Sequence, residues 1–367
     1  MTHKLLTDLA ATLPATVPFV GPETQERAMG TAFRARLGAN ESLLGPSPAA
    51  IAAMQAAASE AWMYGDPENH DLKVALAAHH GVNPENIVVG EGIDGLLGNL
   101  CRLTVTTGTP VVTSLGGYPT FSFHVAGFGG TQHRAPFKGN HEDPDALLEL
   151  ARSTGARLLY LANPDNPMGS HHSAPVIEAL IAALPEGTLL VLDEAYIDFA
   201  PAGTAPTIAA DDPRVIRFRT FSKAHGLAGA RVGYAIAAPE LAMAFNKVRN
   251  HFGVGRIAQA GALAALKDQE YLAQTLARAA NARGRLTAIA RENGFDPLPS
   301  ATNFVTMDCG RDGDYARRVL AGLVARGIFV RMPGVAPHDR CIRVSLGDDA
   351  ALDAFAETLP QVIADLG

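Results

Sequence analysis

The chain contains few cysteines and no cluster of basic residues. Its 367 residues include three cysteines, Cys101, Cys309 and Cys341, which lie far apart and form no C-x-x-C pair. This spacing excludes a zinc framework and a secretory disulfide pattern, and no metal site is expected. The formal net charge is -7 at pH 7, without any block of lysine or arginine. We therefore expect small-molecule partners and no nucleic acid.

Long apolar segments are also missing. No uncharged apolar run reaches the roughly 18 residues that a membrane span requires. The start of the chain contains Asp8 and prolines where a signal peptide needs an unbroken apolar core. We therefore expect no membrane partner, and a reducing, cytoplasmic location.

Short apolar runs alternate with helix-like stretches from residue 46 onward. Six runs are candidate strands: NIVVG from residue 86, PVVTS from 110, RLLYLA from 157, TLLVLDEA from 188, RVIRFRT from 214 and RVGYAIA from 231. Runs of this length between helical segments indicate a mainly parallel sheet with helices on both faces. The sequence therefore predicts an α/β fold.

The chain divides into an arm and two domains. Residues 1–45 are rich in proline, glycine and threonine, which predicts an arm lying over another surface. Residues 46–265 form the predicted large domain. After it, a helical segment leads into the runs NFVTMD, GIFVRM and CIRVSLG, which predict a smaller, partly antiparallel α/β domain over 266–367, with a contribution from the arm. We expect a cleft between the two domains.

A glycine-rich loop follows the first candidate strand. Gly90, Gly92 and Gly95 form a G-x-G-x-x-G pattern between a strand and a helix, which is the context of a dinucleotide site. Such a site needs an acidic residue about 20 positions later, but no aspartate or glutamate occurs between Asp94 and Glu142. The loop is either an ordinary tight turn or a cradle for a single phosphate at a helix start.

A lysine follows another candidate strand. In RTFSKAHGLAGARVGY, Lys223 lies in a glycine-rich turn with Arg231 eight residues later. Burial and neighbouring cations lower the pKa of an ammonium group, so Lys223 is a candidate Schiff-base nucleophile. Ser222 and Arg231 are candidate phosphate donors beside it.

Polar side chains end two further strands. Asp193 and Tyr196 follow the apolar run from residue 188, and a buried carboxylate there needs a partner such as a protonated ring nitrogen. Asn166, in the turn NPDNPMG, can bind a ring hydroxyl. Each residue alone has an ordinary explanation: surface charge, a helix cap or a turn. Together, at the carboxyl ends of one parallel sheet, they predict a ligand site.

Four segments resemble motifs of one enzyme superfamily. GANESLLGPSP resembles N-E-N-P-Y-G-P-S-P, MYGDPENHDLKVALA resembles an R-Y-P-D-P segment, NPDNPMG resembles N-P-N-N-P-T-G, and RTFSKAHGLAGARVGY matches R-T-F-S-K-A-Y-G-L-A-G-x-R-V-G-Y almost residue for residue. On these motifs the chain resembles the fold type I enzymes dependent on pyridoxal 5'-phosphate (PLP), in the class I/II aminotransferase superfamily, and most of all its histidinol-phosphate aminotransferase branch. The resemblance implies a PLP-dependent transferase-like fold with a mainly parallel seven-stranded sheet and a smaller C-terminal α/β domain.

The resemblance also implies roles for individual residues. Lys223 would hold PLP as a Schiff base, Asp193 would pair with the ring nitrogen, and Tyr196 would join Asn166 at the ring hydroxyl; Lys223, Asp193 and Tyr196 are the implied catalytic residues. The remaining implied cofactor contacts are Gly92, Ile93, Asp94, Ser222 and Arg231 at the phosphate, Phe121 on the ring face, and Tyr64 reaching the phosphate from the other subunit of a homodimer.

The implied substrate residues are Arg343, Arg331, Asn40 and Leu44. The two arginines match residues that hold anionic groups of the substrate by bidentate hydrogen bonds. Six positions depart from the branch's motifs: Leu43 and Leu44 replace a proline and a tyrosine, Asp165 an asparagine, Met168 a threonine, His225 a tyrosine and Ile93 a common serine. The loss of the tyrosine hydroxyl at Leu44 concerns the binding of substrate phosphate.

The implied activity is amino transfer from a donor to a 2-oxo acid such as 2-oxoglutarate, by a ping-pong mechanism. The donor would be histidinol phosphate or an aromatic or other amino acid. Two alternatives stay open: a decarboxylase resembling threonine-phosphate decarboxylase, and a binding protein without catalysis. The segment TFSKAHGLAG favours transfer over decarboxylation, and the intact Lys223 argues against a mere binding protein.

Overall fold

The computed structural model describes residues 5–15, 20–42 and 44–367. The strands among these residues are β1 Ala35–Arg36, β2 Ile87–Gly90, β3 Pro110–Ser114, β4 Thr131–Ala135, β5 Leu158–Ala162, β6 Leu189–Asp193, β7 Val215–Thr220, β8 Gly233–Ala237, β9 Asp296–Pro297, β10 Phe304–Asp308, β11 Ile328–Phe329 and β12 Cys341–Ser345. The helices are α1 Asp8–Thr12, α2 Pro22–Met29, α3 Pro48–Ala58, α4 His70–His80, α5 Gly92–Thr104, α6 Pro119–Gly127, α7 Pro144–Thr154, α8 Ala174–Ala182, α9 Pro239–Ala244, α10 Arg256–Lys267, α11 Gln269–Glu292, α12 Gly313–Ala325 and α13 Asp349–Leu366. None of the described helices is long and apolar enough to cross a membrane.

A seven-stranded sheet with the order β2-β8-β7-β6-β5-β3-β4 forms the centre of the molecule. β8 runs antiparallel to its neighbours β2 and β7, and the other neighbouring strands are parallel. The predicted mainly parallel sheet and its six candidate strands are confirmed. The seventh strand, β4, is not among the six candidate strands. Its sequence TQHRA is polar because β4 lies at the edge of the sheet, where some of its residues are exposed.

Helices cover both faces of this sheet. Along β5, Leu158 and Tyr160 pack into a core cluster with residues of α5 and α6, whereas Leu159 and Leu161 pack into a second cluster with residues of α7 and α8. Successive side chains of a strand point to opposite faces, so a strand covered on both sides is apolar throughout. The continuous apolar run RLLYLA therefore reflects burial on two faces.

The C-terminal part of the chain has its own core. Its antiparallel sheet has the order β12-β10-β9, and α11, α12 and α13 contribute to the same apolar cluster. β1 pairs in parallel with β11, and Leu37 is buried in this cluster, which joins the N-terminal segment to the C-terminal core. The domain limits at residues 45 and 265 stay predictions. The separate apolar core of the C-terminal part supports them.

The carboxyl ends of three parallel strands meet at one sheet edge. Ala162 at the end of β5 is the register partner of Asp193 at the end of β6, and Asp193 is the partner of Phe218 near the end of β7. The segments that follow these strands contain Asn166, Tyr196 and Lys223. The topology therefore brings the predicted polar residues together.

Candidate active site

Lys223 lies in the turn after β7, close to the N-terminal segment. Its Nζ donates a hydrogen bond to the backbone oxygen of Asn40 (3.0 Å) and lies 5.5 Å from the centre of the Tyr196 ring. Burial, together with the charges of Arg343 and Arg231, lowers its pKa to about 8. A substantial fraction of the amine is therefore unprotonated near neutral pH, as a nucleophile requires.

Asp193 is a buried carboxyl group at the end of β6. Its Oδ2 accepts a hydrogen bond from the Tyr160 hydroxyl (2.7 Å), and Oδ1 accepts one from the Ala195 backbone N–H (2.9 Å). Burial raises its pKa, whereas these hydrogen bonds and Lys223 act in the opposite direction. A cationic group placed against Asp193 would offset the cost of burying its charge.

Gly92, Ser222 and Arg231 converge at the start of α5. Gly92 has a φ of +74°, and a Cβ atom there would lie 2.5 Å from Nη2 of Arg231. The Arg231 Nη1 donates to Ser222 Oγ (3.3 Å) and to the Ala228 carbonyl (3.0 Å). A helix start, a guanidinium and a hydroxyl at one point form a suitable cradle for a phosphate.

Ile93 and Asp94 follow Gly92 in the first turn of α5. Ile93 is partly buried and packs against the core of the large sheet. Asp94 Oδ1 lies 2.7 Å from Nε2 of His124, and this hydrogen bond lowers the pKa of Asp94. The Asp94 carboxylate is therefore hydrogen-bonded to His124, and the backbone of Ile93 and Asp94 forms part of the first turn of α5.

Arg331 and Arg343 are neighbours across an antiparallel bridge. The backbone N–H of each donates to the carbonyl of the other, at 2.6 and 3.2 Å. Arg343 donates through Nη1 to Asn166 Oδ1 and through Nη2 to the Gly38 carbonyl (3.0 Å), while its buried Nε has no hydrogen-bond partner. Arg331 Nη2 donates to the Val20 carbonyl (2.7 Å). Burial lowers the pKa of both guanidinium groups.

Asn40 connects the N-terminal segment to both sides of the site. Its Nδ2 donates to the Tyr196 hydroxyl (3.0 Å), and its Oδ1 accepts from the Ser345 hydroxyl (2.9 Å). Its backbone oxygen accepts from Asn303 Nδ2 (2.9 Å) in addition to Lys223. The side-chain amide and the backbone oxygen of Asn40 are therefore hydrogen-bonded to other residues of the protein.

Leu44 lies further along the same segment. Its carbonyl accepts a hydrogen bond from the Tyr271 hydroxyl (2.9 Å), and its side chain lines a small recess together with Glu41 and Asn303. Leu43 lies outside the described residues.

The stacking role of Phe121 on the cofactor ring stays a prediction. Phe121 is fully buried, and one face of its ring stacks on that of Tyr160 at 4.6 Å. Tyr118 lies directly before α6 and is partly buried; burial raises the pKa of its hydroxyl, and the charges of Asp193 and Asp94 act in the same direction. Both residues belong to the segment YPTF, residues 118–121.

Tyr64 lies apart from these residues on the surface of the chain. It is 78% exposed, and its ring lies 4.7 Å from that of Phe252, which is also exposed. The contact of Tyr64 with another subunit therefore stays a prediction.

Sequence reasoning missed several residues that support the site. Tyr160 belongs to a run interpreted only as an apolar strand, yet its hydroxyl binds Asp193. Glu142 is buried and accepts hydrogen bonds from Ser114 Oγ (2.6 Å) and from the Ala162 N–H (3.3 Å). Nothing in the polar stretch HEDPD distinguishes Glu142 from its acidic neighbours.

The family model for aminotransferase class I and II matches residues 35–359. The chain belongs to this family. Among curated relatives, the histidinol-phosphate aminotransferase of Moorella thermoacetica is 33% identical over 95% of this chain and 90% of its own length. Histidinol-phosphate aminotransferase 1 of Mesorhizobium japonicum is 36% identical over 90% of both chains. The predicted membership and the prediction of an enzyme are confirmed.

A solved structure supports the same assignment for this aminotransferase. The histidinol-phosphate aminotransferase of Sinorhizobium meliloti, in complex with pyridoxal-5'-phosphate, is 54% identical, covers 100% of this chain and 99% of its own, and has a TM-score of 0.97. Thermus thermophilus aspartate aminotransferase with maleate shares the fold at 22% identity, with a TM-score of 0.77 over 92% of this chain and 93% of its own. The predicted fold type is confirmed.

Proposed function

We propose that this aminotransferase takes the amino group of histidinol phosphate and transfers it to a 2-oxo acid, with 2-oxoglutarate as acceptor, by a ping-pong mechanism. The observation that carries the proposal is the pairing of Arg331 with Arg343 beside Asn166. The relatives from Moorella, Mesorhizobium and Sinorhizobium support the choice of donor. A ping-pong cycle requires one site to accept both substrates in turn.

The residues present fit PLP, the cofactor of this enzyme. The cradle of Gly92, Ser222 and Arg231 leaves no room for a larger side chain at residue 92 and presents donors for a phosphate. The backbone of Ile93 and Asp94, in the first turn of α5, would contribute to the phosphate site. Asp193 would pair with the ring nitrogen, and Asn166 and Tyr196 would bind the ring hydroxyl. Phe121 or Tyr118 of the segment YPTF would contact the face of the ring.

PLP supplies an electron sink that stabilises negative charge at the donor's reacting carbon. The protein supplies the base. Lys223 would hold PLP as a Schiff base, and its free amine, whose pKa is about 8, would serve as the base. Its Nζ then takes the proton from the donor's carbon. Asp193 would keep the ring nitrogen protonated, because a buried carboxylate favours a cation beside it.

The two arginines fit both proposed substrates. Histidinol phosphate carries one doubly charged phosphate, and 2-oxoglutarate carries two carboxylates, so each substrate brings two negative charges to the site. Two adjacent guanidinium groups can bind either arrangement. Leu44 adds no hydroxyl, so we infer that the arginines hold the donor phosphate without the help of a tyrosine at this position.

We further propose a homodimer in which Tyr64 completes the phosphate site of the partner subunit. Tyr64, Phe252 and Trp62 are exposed to 78%, 47% and 82%, and exposed aromatic groups of this kind are typical of interfaces. A cytoplasmic location and the absence of a nucleic-acid partner stay predictions from the sequence.

A half-reaction screen tests the proposed donor. The holoenzyme is mixed with one donor at a time, without acceptor, and the conversion of the cofactor to its amine form is followed by absorbance. We expect rapid conversion with histidinol phosphate and at least a tenfold lower kcat/KM with histidinol, its matched control without phosphate. Preference for phenylalanine would contradict the proposed donor. Release of carbon dioxide from an amino-acid donor without the amine form would support the decarboxylase alternative.

A further inference from the structure

Tyr160 is a buried residue beside the active site to which the proposed reaction assigns no part. It lies in β5 and is 1% exposed, and its hydroxyl donates a hydrogen bond to Asp193 Oδ2 (2.7 Å). The strand register explains this contact. Ala162 of β5 is the partner of Asp193 of β6, so Tyr160, two residues before Ala162 on the same face, is a diagonal neighbour of Asp193. A tyrosine side chain is long enough to reach across that diagonal.

Packing holds the ring of Tyr160 in place. One face of the ring stacks on Phe121 of α6, with 4.6 Å between the ring centres and 12° between the ring planes. Both residues belong to the core cluster between the large sheet and the helices α5 and α6. A side chain packed in this way presents its hydroxyl oxygen at one place. The hydrogen bond to Asp193 is therefore formed before any ligand binds.

The hydrogen bond stabilises one charge state of each partner. Burial and the charge of Asp193 raise the pKa of the Tyr160 hydroxyl, which therefore stays protonated and acts as the donor near neutral pH. Burial raises the pKa of Asp193, and the hydrogen bond from Tyr160 opposes that effect because it stabilises the ionised carboxylate. Without this donor, the buried carboxylate would take up a proton more readily.

Asp193 can still accept a further hydrogen bond. The Ala195 N–H binds Oδ1 and the Tyr160 hydroxyl binds Oδ2, which uses two of the roughly four acceptor positions of a carboxylate. In the proposed site the ring N–H of PLP would use another. One proton is then shared between two bases, the ring nitrogen and the Asp193 carboxylate, and it stays with the more basic of the two.

We propose that Tyr160 is a positioning residue that keeps this proton on the ring nitrogen, because its hydrogen bond makes Asp193 the weaker base of the two. Without the hydroxyl, the proton would move from the nitrogen to a carboxylate oxygen of Asp193. One N–H bond would break, one O–H bond would form, and the ring would lose its positive charge. An uncharged ring is a weaker electron sink for the donor's reacting carbon. The inference rests on the proposed role of Asp193.

Nitrogen-15 NMR of the holoenzyme, loaded with PLP labelled at the ring nitrogen, tests this inference at one near-neutral pH. The chemical shift of a pyridine nitrogen reports its protonation. We expect a protonated nitrogen in the wild type and a shift toward the neutral form in Tyr160→Phe. The kcat should fall about 10- to 100-fold, the loss typical of a hydrogen bond to a charged group, while the donor KM should change less than about threefold.

Tyr234→Phe is the matched control. It removes the hydroxyl of another buried tyrosine of the same sheet, in β8, whose hydrogen-bond partner is Nε2 of His80 (2.8 Å). Its nitrogen-15 shift and kcat should match those of the wild type. Tyr160→Met also removes the hydroxyl, with a flexible side chain that adapts to an apolar core. It should give the same shift as Tyr160→Phe, and it takes the place of that variant if Tyr160→Phe does not fold.

Asp193→Asn separates this inference from the proposed function. An amide cannot form an ion pair with the ring, so the nitrogen should be neutral in this variant, and adding Tyr160→Phe should change nothing further. If the nitrogen is neutral in the wild type or protonated in Asp193→Asn, the proposed role of Asp193 is wrong. If Asp193→Asn makes it neutral while Tyr160→Phe and Tyr160→Met leave it protonated, the role of Tyr160 is overturned.

Discussion

The backbone of Gly92 lies directly against the guanidinium group of Arg231, where a Cβ atom would come within 2.5 Å of Nη2. Gly92→Ala should therefore displace Arg231 from Ser222 and strain the backbone, whose φ is +74°. We expect the affinity for PLP to fall about 10- to 100-fold, the loss typical of a charge-assisted hydrogen bond. Titration of the apoprotein with PLP, followed by absorbance, measures this change.

Gly229→Ala is the matched control, because a Cβ at Gly229 meets nothing within 4 Å. It makes the same chemical change in the turn before Arg231. Equal losses of PLP affinity in the two variants would show that the contact at Gly92 is unimportant.

The pKa of Lys223 predicts how the apoprotein takes up PLP. Only the unprotonated amine attacks the cofactor aldehyde, so the rate of Schiff-base formation should rise with pH and level off above about pH 8. Arg343→Gln removes a cation that lowers this pKa, so the midpoint should move to higher pH. Stopped-flow absorbance measures the rate.

Arg217→Gln, at a cation that is bonded to Glu194, serves as the control for charge removal. Arg217 is not among the groups that shift the pKa of Lys223, so its midpoint should match the wild type. A midpoint that stays in place for Arg343→Gln contradicts the electrostatic explanation.

The grouping of the polar residues could be predicted from the sequence, because parallel strands place their carboxyl ends at one edge of a sheet. Asp193 ends a predicted strand, Lys223 and Asn166 each follow one, and the structure brings the ends of these strands to that edge. The polar edge strand β4 and the buried acid Glu142 could not be predicted in this way. Their environment depends on residues distant in the chain, as in the contact of Glu142 with Ser114.

The stacking of Phe121 on Tyr160 has a local physical cause. A motif shows which residues occur together, but which of them faces a ligand depends on where a helix begins. α6 begins at Pro119, so Tyr118 precedes the helix and Phe121 lies in its first turn, on the side that faces Tyr160. Pro119 favours a helix start at this point, but the sequence alone does not show that Phe121 meets Tyr160.

Two matched substitutions test which of Phe121 and Tyr118 contacts PLP. Phe121→Leu should lower the free energy of unfolding by about 1–2 kcal/mol, because it removes a buried ring from a packed core, and should leave the affinity for PLP unchanged. Tyr118→Leu should weaken PLP binding about tenfold through the loss of aromatic contact, with a smaller effect on stability. Chemical unfolding and PLP titration measure the two properties. The reverse pattern would support Phe121 as the stacking residue.

The buried Glu142 predicts how stability changes with pH. Burial raises its pKa from 4.5 to about 8 in the folded protein. Below about pH 4.5 the carboxyl is protonated in the folded and unfolded states alike, so its contribution to stability is fully present. As the pH rises from about 4.5 to about 8, the unfolded chain releases this proton and the folded chain retains it. The unfolded state is thereby favoured by about 1.4 kcal/mol per pH unit at most.

Glu142→Gln removes this titration. The variant should lose less stability than the wild type between about pH 5 and about pH 8, and its Tm should exceed that of the wild type at the upper end of this range. Glu149→Gln, at an exposed acid of α7, is the control and should follow the wild type. Thermal unfolding of the holoenzymes across this range measures the difference. Parallel Tm curves for Glu142→Gln and the wild type would show that Glu142 ionises in the folded protein as it does in the unfolded chain.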